Sequence, residues 1–347
     1  MLNGMTGPLP YDAVMVVSFG GPEGPDDVLP FLERVVAGRR VPRARLEKVA
    51  EQYHLFGGVS PINAINRSLV AALRAELSAA GLDLPVYWGN RNWDPLLADA
   101  VAAMAADGVS RALAFVTSAF SSYSGCRQYL DDIERARTAV GRGAPPVDKL
   151  RVFFDHPLFI ECWVDSLRAA LAEVGESSPP PVLLFSAHSI PLSMAATSDY
   201  QAQLAVTASL VAAGAGVSPG SWRQVWQSRS GPPTQPWLEP DIGAVIEAMA
   251  SDGAPVVVAP IGFVADHMEV KYDLDTLAAA IAGTGGHRLV RAATPGVDPR
   301  FVRMIRRLIE ERLAAPELVG VGCSAGHCPP PRLERPPGGA AAGMVSR

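Results

Sequence analysis

The side chains best suited to chemistry gather in two short stretches of the sequence. His188 closes the apolar run that begins at Val182, and His267 and Glu269 follow the run Val256-Val257-Val258-Ala259 and a short loop. An imidazole, with an unperturbed pKa of about 6.5, accepts a proton or ligates a divalent metal near neutral pH. A carboxylate such as Glu269, partly withdrawn from water, does the same once its pKa is raised. Histidine with glutamate suits Zn²⁺, Fe²⁺ or Co²⁺, but the set is too sparse for a closed structural metal site. If a helix begins near Ala265, then Asp266, Glu269 and Asp273 fall at i, i+3 and i+7, on one face. Three carboxylates on one stripe repel one another unless a cation or shared protons relieve them. The alternative is a solvated acidic helix start, favoured by the helix dipole. H-E-x-x-H does not occur, so metalloprotease chemistry lacks support.

Both histidines stand where an apolar strand gives way to the next element, which is where open α/β sheets place their ligands. The hydrophobic pattern predicts strands at residues 13–19, 85–90, 112–117, 150–154, 182–186, 222–227, 256–259 and 287–292. Helices are expected between them, among them residues 46–56, 62–80, 126–140, 157–173, 198–214 and 299–314. Ser60 reads as the N-cap of one of these helices, with Pro61 at its first position. Strands alternating with helices imply a mostly parallel sheet covered on both faces. The loop after the first strand is glycine-rich, but it does not fit G-x-G-x-x-G, and Pro22 and Pro25 remove backbone donors. A phosphate cradle is therefore not expected there, and a nucleotide-binding dehydrogenase is disfavoured.

A length of 347 residues suits two domains, expected at 11–160 and 161–314, followed by a Cys- and Pro/Gly/Ala-rich tail at 315–347 that should be disordered after about 328. A formal net charge of −5 without a basic block argues against a nucleic-acid partner. No apolar stretch approaches the roughly 18 residues of a membrane span, and no secretory signal pattern opens the chain. Four cysteines do not suggest a disulfide scaffold, so a reducing cytoplasm is the expected compartment.

A weak internal repeat is present. Ala103-Met104-Ala105-Ala106-Asp107-Gly108 resembles Ala248-Met249-Ala250-Ser251-Asp252-Gly253, and the strand end Ser186-Ala187-His188 then corresponds to Ser18-Phe19-Gly20. The repeat predicts two similar α/β halves facing each other across a cleft. His188, His267 and Glu269 all fall in the second half, which would do the chemistry while the first half holds the ligand.

These stretches resemble the signature segments of a known family. Ser186-Ala187-His188-Ser189-Ile190-Pro191 and the run from Gly262 to Asp275 look like those of the ferrochelatases. So do Ser18-Phe19-Gly20-Gly21-Pro22, Gly57-Gly58-Val59-Ser60-Pro61 and Trp226-Gln227-Ser228, in family order over residues 12 to 314. The pattern is most similar to the coproporphyrin III-using branch of Gram-positive bacteria. The resemblance implies two Rossmann-like, chelatase-type domains around a porphyrin cleft. It also implies a metal chelatase (a lyase) of haem biosynthesis that inserts Fe²⁺ into coproporphyrin III as two pyrrole protons leave. Its alternatives are a protoporphyrin IX ferrochelatase, a cobalt chelatase acting on a corrin precursor, or a porphyrin-binding carrier without catalysis.

By the same resemblance His188 and Glu269 face each other across the porphyrin as proton acceptor and metal ligand, in an order left open. Asp266, His267 and Asp273 extend the polar line from Glu269, with His267 alternatively orienting Glu269. Ser60 and Tyr129 match porphyrin-contacting positions, and Tyr53 and Gln52 lie nearby. Phe19 stands where several relatives carry a tyrosine, which removes a phenolic contact to the iron. Arg39, Arg40, Arg43, Arg127 and Arg229 are candidates to pair with substrate carboxylates, or are ordinary surface charges.

Cys162, Cys323 and Cys328 match three of the four ligands of a [2Fe–2S] cluster found in some relatives, while Gly320 stands where the fourth is expected. Either His327 completes such a cluster or the three cysteines are incidental. A transient partner protein that handles haem is a further expectation.

Overall fold

The computed structural model describes residues 9–39, 41–232, 234–316 and 328–329. The first half runs β1 (Ala13–Ser18), α1 (Val28–Val35), α2 (Arg43–His54), α3 (Ile62–Ala79), β2 (Val86–Asn90), α4 (Leu97–Ala106), β3 (Ala112–Val116), α5 (Gln128–Val140) and β4 (Val147–Lys149). Helix α6 (Pro157–Val174) leads to the second half. There β5 (Val182–His188), α7 (Leu192–Ala195), α8 (Tyr200–Ala215), β6 (Trp222–Gln227) and α9 (Ile242–Glu247) are followed by β7 (Val256–Ala259) and α10 (Met268–Tyr272). The chain continues through α11 (Ala279–Thr284), β8 (Leu289–Arg291) and α12 (Pro299–Ala314).

Each half contains one four-stranded parallel sheet, ordered β2-β1-β3-β4 and β6-β5-β7-β8. The two orders are the same once β5 is set on β1, so the sequence repeat corresponds to a repeat of topology. A π-helical segment follows the third strand in both halves, Tyr123–Arg127 after β3 and Asp273–Ala278 after β7. Every residue of β1, β3 and β7 is buried. That explains their unbroken apolar runs, because a parallel sheet covered by helices on both faces has no solvent side to encode.

The halves share one interior. A hydrophobic cluster joins Val14, Phe115 and Phe120 of the first half to Phe185, Val257 and Ile309 of the second. At its centre the Phe115 and Phe153 rings stack at 5.3 Å, and the Phe159 and Phe301 rings lie 5.4 Å and 5.9 Å from Phe153. Helix α12 crosses back onto the first half, where Arg306 Nε donates to Glu76 of α3 at 2.8 Å and Arg312 Nε donates to the Tyr11 hydroxyl at 2.9 Å. Buried Gln203 of α8 adds a second tie, accepting from the Ser121 amide at 2.7 Å and donating to the Ser121 hydroxyl at 2.9 Å.

Two sequence expectations change. Residues 150–154 form no strand, and the fourth strand is Val147–Lys149. Their apolar pattern reflects burial of Leu150, Val152 and Phe153 in the shared interior rather than ladder pairing. The helix expected at 198–214 is present as α8, Tyr200–Ala215. Ser60 does not cap α3, whose first turn follows Pro61 with no side-chain cap bond.

Candidate active site

In the second sheet the chain leaves β5 for β6 on one side and reaches β7 on the other. A crevice opens outside the carboxyl ends of strands at such a switch point. His188 is the last residue of β5 and pairs in register with Gln227, the last of β6. The segment after β7 turns tightly over the end of β5, with the Gly262 amide donating to the Ser186 carbonyl at 3.1 Å. A Cβ on residue 262 would lie 2.6 Å from the Ala187 Cβ, so glycine is what lets these two strand ends close up.

His267 then starts the next helix. Its backbone is extended (φ −147°) and its Nδ1 accepts the Glu269 amide at 3.1 Å, so α10 begins at Met268 rather than near Ala265. Asp266 therefore lies outside the helix and off the predicted acidic stripe. Arg291 holds it with Nη1 and Nη2 donating at 3.2 Å and 2.9 Å, and the Thr294 hydroxyl donates at 2.9 Å. Arg291 also reaches Asp275, with Nε donating at 2.6 Å. Glu269 and Asp273 do share one side of the helix, and the Asp273 carboxylate accepts a short bond from the Ser228 hydroxyl.

These turns bring His188 Nε2 to 3.4 Å from Glu269 Oε1. Both side chains are partly exposed, at 29% and 45%, so the pair opens onto the crevice. A flat aromatic ring sandwiched between two groups needs about 7 Å, two contacts of about 3.5 Å. In this structure His188 and Glu269 meet side by side, without the spacing that a ring between them needs.

The facing wall comes from the first half. The Phe19, Tyr53 and Trp93 rings surround that of Phe31, with centroids at 6.2, 5.9 and 6.3 Å. The Arg91 guanidinium lies 4.7 Å from the Tyr129 ring centre and 5.7 Å from that of Phe19, and pairs with Asp132. Burial raises the Tyr53 and Tyr200 hydroxyls above their ordinary value, and the charge of Glu269 raises them further. Tyr129 is raised by burial, opposed by Arg91, and it too senses Glu269. Tyr53, Tyr129 and Tyr200 therefore all lie within electrostatic reach of that carboxylate.

The family model described as "Ferrochelatase" matches residues 11–313, which include all eight strands. The chain belongs to the ferrochelatase family. It is 54% identical to the "Coproporphyrin III ferrochelatase" of Frankia alni over 92% of this chain and 87% of that one. It is 50% identical to the protein of the same name from Nocardia farcinica, over 92% and 97% of the two chains. The "Ferrochelatase" of Rhodopirellula baltica is 53% identical over 88% and 87%. Among solved structures, the sirohydrochlorin chelatase SirB from Bacillus subtilis subspecies spizizenii in complex with cobalt covers 88% of this chain and 96% of its own. With a TM-score of 0.51 and 12% identity it shares the fold.

In this ferrochelatase-family chain the central pair is strongly coupled. Burial alone would lower His188 and raise Glu269, but their mutual attraction prevails and moves each the other way. Those two directions favour the ion-paired form, an imidazolium beside a carboxylate. Burial lowers His267, which keeps its Nδ1 unprotonated and able to accept the Glu269 amide. Asp273 is raised to about 6, first by burial and then by Glu269, against the opposing bond from Ser228.

The other candidates are placed less centrally. Ser60 is buried against the loop before α1, its amide donating to the Pro22 carbonyl at 2.8 Å, and Gln52 is half-buried on α2. Arg43 pairs with Glu33 and Glu47, Arg127 with Asp131, and Arg229 donates to the Gln235 carbonyl at 3.0 Å. Arg39 is exposed, and Arg40 lies outside the described residues. Cys162 is buried in α6 with its thiol pushed up to about 12, by burial and then by Asp298. The Cys328 amide donates to the Thr197 carbonyl at 3.2 Å, while Cys323 and His327 lie outside the described residues. Among the described residues no group of three or more His, Cys, Asp or Glu is arranged to hold a metal ion.

Arg91, Tyr200 and Arg291 were not singled out in the sequence. Arg91 directly follows β2, and a charged residue at a strand end was the available signal. Tyr200, whose hydroxyl donates to the His188 carbonyl at 3.0 Å, lies inside an Ala-rich helix and gave none.

Proposed function

We propose that this protein inserts Fe²⁺ into coproporphyrin III to give iron coproporphyrin III in haem synthesis, with release of two protons. The observation that carries the reading is the half-exposed His188–Glu269 pair, 3.4 Å apart at the sheet's switch point and faced by an aromatic wall. The names borne by the Frankia and Nocardia relatives support coproporphyrin III as the porphyrin.

The chemistry exchanges two pyrrole protons for one dication. Ring-facing residues Phe19, Tyr53 and Tyr129, with Ser60 and Gln52 at the margin, hold the macrocycle, and their contacts offset the distortion that tilts its nitrogen lone pairs. Fe²⁺ approaching the pair is drawn to Glu269 and makes the imidazolium of His188 costly, so its proton is released. The freed imidazole then accepts the two pyrrole protons in turn, handing on the first before it takes the second. Asp273, poised near pH 6, passes protons towards solvent, and His267 keeps the Glu269 backbone in place. Asp266, held by Arg291, takes no part in this relay and serves to anchor the segment.

A cytoplasmic setting fits a chain of only four cysteines, of which Cys162 is a buried thiol, and no helix of the described residues is long and apolar enough to cross a membrane. The cluster on Cys162, Cys323 and Cys328 rests on their sequence positions, and the visible spectrum of anaerobically purified protein decides it. Charge-transfer bands would establish the cluster, and a featureless spectrum would remove it. The function is tested by anaerobic turnover of coproporphyrin III against protoporphyrin IX. Faster iron insertion into coproporphyrin III is expected, and turnover of neither porphyrin would overturn the reading.

A further inference from the structure

The pair at the centre of the site sits on elements poorly equipped to hold it. Glu269 belongs to a five-residue helix, Met268–Tyr272, that runs straight into a π-helical segment. Such a helix has few internal bonds of its own to fix its rotation. Yet both backbone groups of Glu269 are held by side chains. The amide donates to His267 Nδ1 at 3.1 Å, and the carbonyl accepts from the Gln227 side-chain amide at 3.0 Å as well as from the Asp273 backbone.

Gln227 is 1% exposed and makes a second bond with the same group, its Oε1 accepting from the Ser186 hydroxyl at 2.9 Å. Ser186 is two residues before His188 on β5 and is fully buried. The Gln227 backbone carbonyl in turn accepts the Ser189 amide at 2.8 Å, immediately after His188. One residue thus grips the strand end that carries His188 on two sides and the helix that carries Glu269 on a third. Only a primary amide of this length accepts at one end and donates at the other. A carboxylate lacks the donor, asparagine is one methylene short, and an apolar replacement strands two buried polar groups.

We infer that Gln227 is a positioning residue that sets the separation of His188 and Glu269 by bridging Ser186 to the Glu269 carbonyl. The inference rests on the proposed ferrochelatase reading for its kinetic consequence, and on geometry alone for its structural one.

The test compares Gln227→Met, Gln227→Glu and Ser186→Ala with the unaltered protein in crystal structures and in iron insertion. In Gln227→Met the distance between His188 Nε2 and Glu269 Oε1 should open beyond hydrogen-bond reach. The kcat of Gln227→Met should fall by about tenfold or more, with the porphyrin KM changed less than about twofold. Gln227→Glu should lose kcat similarly near neutral pH and regain it as the pH is lowered and the new carboxyl group gains a proton it can donate. Ser186→Ala should show a smaller loss in the same direction, and it carries the comparison if Gln227→Met does not fold. An unchanged separation with unaltered kcat would overturn the inference. So would a loss of activity in Gln227→Glu that does not recover on acidification and merely follows the fraction folded. An unaltered protein that inserts no iron would remove the catalytic reading, while the crystal distances still decide what Gln227 holds.

Discussion

His188 and Glu269 stand 3.4 Å apart, at the mouth of the crevice rather than on opposite sides of it. Contact between them moves both titrations outwards from their ordinary values. A raised histidine contributes stability that is present below its unfolded pKa of about 6.5 and is lost as pH rises through the folded value. A depressed glutamate contributes stability present above its unfolded value of about 4.3 and lost as pH falls through the folded one. The contribution of the pair is therefore greatest between those two limits. In Glu269→Gln the imidazole of His188 should titrate lower than in the unaltered protein, as followed by NMR. The stability change should stay within about 1 kcal/mol because both groups are partly exposed.

Replacing either member by alanine should remove iron insertion by about 100-fold or more, the scale of a lost acid–base group. Coproporphyrin III binding, measured by fluorescence quenching, should change by less than about threefold, since the aromatic wall is untouched. Undiminished turnover in both variants would exclude the mechanism.

Asp273 should report itself in the pH dependence. With its folded pKa raised to about 6, the folded state holds more protons than the unfolded chain between about pH 4 and 6, so this group lowers stability as pH rises through that window. Asp273→Asn should abolish that slope in urea denaturation and should remove an inflection near pH 6 from the rate profile.

Gly262→Ala should act as a wedge. Its new methyl group meets both the Cβ of Ala187 and the backbone Cα at 2.7 Å, a fixed strand rather than a flexible side chain. A cost of about 1–3 kcal/mol is expected from overpacking. Because the wedge enters one residue from His188, kcat should fall more than the folded fraction does.

Arg291→Met should leave Asp266 with only the Thr294 hydroxyl and Asp275 with only Lys271, and both carboxylates are about three-quarters buried. A loss of about 3 kcal/mol in urea denaturation is expected. Arg291→Lys should restore only part of it, because one ammonium cannot match the fork that spans both partners.

The strand ends that carry the site were legible in the sequence because β5 and β7 are buried on both faces and leave an unbroken apolar run before each histidine. The repeat was legible for the same reason. Asp266 was misplaced because helical spacing was counted from Ala265, whereas the start is set by a bond from His267 that leaves no compositional mark. Residues 150–154 read as a strand because Phe153 is apolar for the sake of Phe159, on the next helix, and of Phe115 and Phe301, both distant in sequence. Arg91 and Arg291 owe their roles to partners on other elements, and no local pattern announces such a role, whereas Gln227 lies in the segment Trp226-Gln227-Ser228 that carries the resemblance without showing what it bonds. The side-by-side arrangement of His188 and Glu269 was likewise invisible, since it depends on how closely Gly262 lets two strands approach.

Helix α12 lies on α3, so the last helix of the described residues completes the outer layer of the first sheet. During synthesis on the ribosome, the first half therefore emerges with an apolar face of α3 uncovered until residues 299–314 have been made. The growing chain must keep that face from aggregating while residues 80 to 298 are made.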